Sequence, residues 1–75
     1  MTFSIRLLFI DPDGNFITAE SRWPTFENCM EYARRFLRPV ENPVAGSCQT
    51  WVLTSFSVDS RKFEVFEGQF IEKVD

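Results

Sequence analysis

Few side chains in this chain are equipped for chemistry. Its 75 residues include no histidine, the side chain that most often serves as a general acid or base near neutrality. Carboxylates, lysines, one tyrosine and two cysteines remain. Asp11 and Asp13 come closest to a carboxylate pair, but they flank Pro12 and precede Gly14. In that setting aspartate bonds its own backbone and closes a turn. The residues after Gly14 do not continue into a calcium-binding loop, and Asp59 lies in a second turn-forming run, Asp59-Ser60-Arg61. Cys29 falls near the start of a helix, a position that lowers a thiol pKa. It also shares that helix's apolar stripe with Phe26, Met30 and Ala33, where cysteine packs as a small hydrophobe. Two thiols with neither a CxxC pair nor a histidine do not make a zinc site. A Cys29–Cys48 disulfide would close a loop of about 20 residues and contribute roughly 3 kcal/mol. Two reduced thiols are the other state, and the default without a secretion signal. The expectation is therefore no catalytic residue, no metal, no cofactor and no enzymatic activity.

Arg34, Arg35 and Arg38 form a basic patch on the outer side of the same helix. One reading is a contact for an anion or an acidic partner; the plainer one is compensation of the helix dipole by solvated cations. Either way, no basic stripe interleaved with aromatic residues runs along the chain, as a single-strand nucleic-acid groove would require.

The elements that position these groups are well marked. Phe3, Ile5, Leu7 and Phe9 alternate with Ser4, Arg6, Leu8 and Ile10, which reads as a strand with apolar residues on both faces toward its end. Asp11-Pro12-Asp13-Gly14 turns the chain, and Phe16 to Trp23 returns antiparallel. Trp23-Pro24 ends that strand, and Thr25 is a natural N-cap. Phe26, Cys29, Met30, Ala33, Phe36 and Leu37 then recur at helical period, with Glu27 and Glu31 in the first half and three arginines in the second. Glu31 lies one turn before Arg35, the favourable order for an ion pair. Pro39 stops the helix near Leu37 or Arg38. Pro39 to Ser47 reads as an extended connection or a contact loop. Gln49 to Val58 reads as a third strand and Lys62 to Phe66 as a fourth. Gly68 marks a bulge or strand end, and Gln69 to Val74 is an extension or a tail.

The expected fold is a single α+β domain over residues 1–75, in the order β-β-α-β-β, with one four-stranded antiparallel sheet and a single helix packed on one face. Nothing is left over to cover the other face. The chain carries nine phenylalanines, two tryptophans and one tyrosine, and each ring buries roughly 150–250 Å². The helix and the strand face opposite it use about half of the phenylalanines. Leu8, Ile10 and Phe16 are left on the far face of the first hairpin. One face of the second hairpin joins them, carrying Phe56 or Phe66, since a shift of one residue exchanges the faces. These five residues are the expected protein-binding surface, unless the sheet curls and tucks them under the tail and the Pro39–Ser47 loop.

Composition narrows the function further. A net charge of −3 disfavours nucleic acid bound by phosphate neutralisation and docking on anionic membranes. No apolar run approaches the 18 or so residues of a membrane span. The opening segment reads as a strand rather than a secretion signal, so the expected location is the cytoplasm.

The run Arg22-Trp23-Pro24-Thr25-Phe26-Glu27-Asn28-Cys29, with Cys48 before a later strand, resembles a pattern in small uncharacterised phage-encoded accessory proteins. The resemblance covers about a third of the chain and carries no catalytic residues. It implies an accessory protein that binds and modulates a host protein in the host cytoplasm. The expected function is accordingly a non-enzymatic protein-binding domain that uses its open sheet face, with a homodimer through that face as one form of it. The alternative is a nucleic-acid-related role. One form is an acidic mimic, which requires Glu20, Glu64, Glu67 and Glu72 to cluster on one surface. The other is a weak single-strand binder using sheet aromatics.

Overall fold

The computed structural model describes residues 1–38, 40–41 and 50–74. Along the chain lie β1 (Phe3–Ile10), β2 (Phe16–Trp23), α1 (Phe26–Arg34), β3 (Val40–Glu41), β4 (Thr50–Val58), β5 (Arg61–Phe66) and β6 (Gln69–Lys73). Five strands form an antiparallel sheet in the order β2-β1-β4-β5-β6, and the two-residue β3 pairs with the opening of β4. The fold is α+β with one helix among the described residues, as its sequence implies, but the four-stranded β-β-α-β-β order is incomplete: β3 falls inside the expected loop, and β6 is a full hairpin partner rather than a tail.

The first hairpin closes on Asp11. Its Oδ1 accepts from the backbone amides of Asp13 (3.0 Å) and Asn15 (2.7 Å), and its Oδ2 accepts from the Asn15 side-chain amide at 3.1 Å. Gly14 takes φ +86°, which a side chain would resist. Burial raises the Asp11 pKa, but the hydrogen bonds from Asn15, Asp13 and Gly14 outweigh it and hold the carboxyl below its usual value. Asp11 is therefore a structural anion. The β5–β6 hairpin has the two-residue turn Glu67-Gly68, with φ +51° and +75°. Positive φ at both central positions matches the right-handed twist of the strands it joins.

Thr25 caps α1, its hydroxyl accepting from the Asn28 amide at 3.1 Å. The helix ends at Arg34, about one turn earlier than the apolar stripe suggests. Arg35, Phe36 and Leu37 then donate three residues back, to Tyr32, Ala33 and Arg34, so the tightened turn still delivers Phe36 to the core. There it meets Phe9 edge-on at 5.3 Å and Tyr32 at 5.2 Å. Glu31 and Arg35 are not paired among the described residues.

The core lies between α1 and one face of the sheet. Ile5, Leu7 and Phe9 of β1, Leu53, Phe56 and Val58 of β4, Phe63 of β5, and Cys29 and Ala33 of α1 are buried together. A bulge in β4 makes this set compatible. Leu8 opposes Ser55 and Phe9 opposes Leu53, which leaves Thr54 as the extra residue. Its hydroxyl donates to the Leu8 carbonyl at 3.2 Å. Strict alternation would send Leu53 and Phe56 to opposite faces, and the bulge brings both inward. Phe56 is consequently 3% exposed, stacked on Phe63 at 4.9 Å and edge-on to Phe70 at 4.8 Å. It belongs to the core, and Phe66 is the second-hairpin aromatic left outside.

Candidate interaction face

The register assigns every strand residue to a face. Ile5, Leu7, Phe9, Ile17, Ala19, Trp23, Phe63 and Phe70 share the helix side. The opposite face has no layer over it among the described residues. Its first row, from β2 to β4, is Phe16, Ile10 and Val52. The next is Thr18, Leu8, Ser55, Glu64 and Ile71, and a third is Glu20, Arg6, Ser57, Lys62 and Lys73. Phe16 is 62% exposed, Val52 45% and Ile71 47%, and Phe66, at the far end of β5, is 60% exposed. Leu8 and Ile10 are half-buried, their flanks shielded by neighbouring strands. Seven of the nine phenylalanines lie in or against the core, and Phe16 and Phe66 alone do not. Among the described residues nothing covers these two rings; apart from Val40–Glu41, the Pro39–Ser47 loop lies outside the described residues.

The outer face divides by chemistry. The Phe16–Ile10–Val52 end is apolar. Toward the other end of β1 the sheet's twist opens a trough of about 360 Å³, lined by Arg6, Leu8, Ser57, Lys62, Glu64 and Lys73 among others. Arg6 Nε donates to Glu20 Oε1 at 2.6 Å, and Lys73 Nζ donates to Glu64 Oε1 at 2.8 Å. The hydrogen bond to Glu64 raises the Lys73 pKa. Lys62 has no ion pair among the described residues, although it sits directly across from Lys73. With Arg22 also on this face, four cations stand against two carboxylates among the outward residues of β1, β2, β4, β5 and β6, which are thus net positive in a chain of net charge −3.

The remaining candidate residues lie apart from it. Arg34, Arg35 and Arg38 are exposed at the end of α1, on the other side of the molecule. Cys29 is fully buried, its Sγ 3.8 Å from the Phe3 carbonyl oxygen. Burial first, and the charge of Asp59 second, push its pKa above the ordinary value, which opposes nucleophilic use. The Cys29–Cys48 pairing falls on Cys48, outside the described residues. Among the described residues, no group of three or more histidine, cysteine, aspartate or glutamate side chains is placed to hold a metal ion. Among the described residues no helix is long and apolar enough to cross a membrane, and the opening segment forms β1.

The geometry does not meet the condition for an acidic mimic. Glu20 and Glu64 lie on the outer face, each paired with a cation. Glu72 is on the helix side, in a two-pronged hydrogen bond with Arg61 at 2.8 and 2.7 Å that lowers its pKa. Glu67 sits in the β5–β6 turn. Nor do the exposed rings make a stacking platform, since Phe16 is on the edge strand and Phe66 is three strands away. Sequence reasoning did not single out Val52, Ile71 or the Arg6–Lys62–Lys73 row. Alternation with Leu7 puts Arg6 outward, but the face of Lys62 stays open in the sequence and the row appears only once β6 is known to pair with β5. Compared with protein-family models, curated proteins and solved structures, the chain matches none.

Proposed function

We propose that this chain is a non-enzymatic protein-binding domain whose contact surface is the outer sheet face, in keeping with an accessory protein that modulates a host protein. The observation carrying this reading is the apolar row Phe16–Ile10–Val52, with Phe16 and Val52 exposed and Phe66 exposed farther along the same face, over which no covering layer lies among the described residues. Contiguous apolar area beside polar residues is characteristic of interaction surfaces. A face-to-face homodimer is the less favoured form, because two net-positive faces would meet and like charges across an interface oppose association.

The test is retention from a host lysate by immobilised domain. Phe16→Asp combined with Phe66→Asp abolishes retention of a specific protein, while Arg35→Glu retains it. Loss with Arg35→Glu and retention with the double variant would reverse the assignment.

A further inference from the structure

The trough on the outer face holds three cations in a single row. Arg6 on β1, Lys62 on β5 and Lys73 on β6 align through the register, with Ser57 of β4 between the first two. Adjacent strands lie about 4.8 Å apart, so the row spans roughly 14 Å. Glu20 and Glu64 occupy the Arg6 and Lys73 heads, leaving Lys62 as the uncompensated charge. It stands directly opposite another lysine, an arrangement that destabilises an antiparallel pair. The free domain gains nothing from it, whereas an anion in the trough would.

We infer that the Arg6–Ser57–Lys62–Lys73 row is an anion-recognition site for carboxylates of an extended acidic segment in a protein partner, whose apolar residues lie against Ile10, Phe16 and Val52. The inference rests on the outer face being the contact surface. Charge complementarity selects the occupant: the face is positive while the chain as a whole is acidic, so a second copy presents the wrong sign when it docks face to face. Nucleic acid is disfavoured, because Glu20 ends the row and Glu64 flanks it, so both would repel a continuous run of phosphates, and the apolar residues of the adjoining row, Leu8 and Ile71, are aliphatic and offer no ring for stacking. A segment with separated carboxylates meets Lys62 and Ser57 while avoiding both glutamates.

The probe is poly-L-glutamate at low ionic strength, followed through the backbone amide resonances of the intact domain. The Arg6, Ser57, Lys62 and Lys73 signals shift, and the affinity falls as salt is raised. Lys62→Glu weakens binding at least about tenfold and raises the melting temperature by about 1–5 °C, because glutamate pairs with Lys73 across the strands. Arg35→Glu makes the same change in net charge and leaves the affinity within about twofold. Absence of binding at low salt, equal weakening by both variants, or an unchanged affinity in Lys62→Glu overturns the site. Tighter binding of a single-stranded oligothymidylate through the same amides overturns the choice of partner. If these fail while the Phe16 and Phe66 variants still abolish retention, the anion site is wrong and the contact face stands.

Discussion

Replacing Phe56 with alanine removes a large fraction of the domain's stability, while the same change at Phe16 leaves its melting temperature nearly unchanged. Both are phenylalanines in strands of one sheet, and only their faces distinguish them. Phe56 is 3% exposed and packs against the Phe63 and Phe70 rings. Truncating such a ring loses its transfer free energy and leaves a cavity, about 3–5 kcal/mol together. A domain of 75 residues has roughly 4–11 kcal/mol in total, so the change consumes about a quarter or more of the stability. Phe16 already meets solvent in the free domain, and its truncation costs within about 0.5 kcal/mol. Urea denaturation of the two variants measures the contrast. Comparable losses of stability would mean that Phe16 is covered and the outer face is not bare.

The second large effect is kinetic. In a Cys48→Ser background, which leaves one thiol, native Cys29 reacts with iodoacetamide about 10³-fold more slowly than the same thiol in urea. Cys29 has no solvent exposure between α1 and β1, so alkylation requires the helix to open. An opening free energy at the low end of domain stability, about 4 kcal/mol, gives this factor. The raised pKa acts in the same direction, because only the thiolate attacks. The thiol's reactivity is greatest above its ordinary titration range and falls away below it. Fast labelling at neutral pH would show an accessible thiol and reopen its use as a nucleophile.

The legible parts of the chain were those governed by local chemistry. Asp11-Pro12-Asp13-Gly14 announces its turn because each residue acts on its own backbone. Thr25 and the Phe26–Ala33 stripe mark a helix start for the same reason. The illegible parts depend on pairing. Gly68 reads as a bulge until β6 is seen returning along β5, when Glu67-Gly68 becomes a two-residue turn. Val40–Glu41 is too short to carry a period. The face of Phe56 was undecidable from alternation because the bulge at Thr54 resets the parity of β4.

The contact surface followed the same division. Leu8, Ile10 and Phe16 could be assigned outward from β1, β2 and the turn between them. Tyr32 lies off the idealised helix stripe, yet it packs on Trp23 at 5.3 Å and on Phe36 at 5.2 Å, so the buried face of the helix is wider than one stripe. The cation row was invisible for a different reason: its members are far apart in sequence, and only the strand order β1-β4-β5-β6 makes them neighbours.

The central claim is that the outer sheet face, rather than the helix side, is where this domain meets its partner. The most direct measurement is site-specific photo-crosslinking in the host, with p-benzoyl-phenylalanine placed at Phe16, at Phe66 or at Glu31 in otherwise unchanged chains. One adduct of the same mass is expected from Phe16 and Phe66, and none from Glu31. An adduct from Glu31 alone, with none from either sheet position, would contradict the claim.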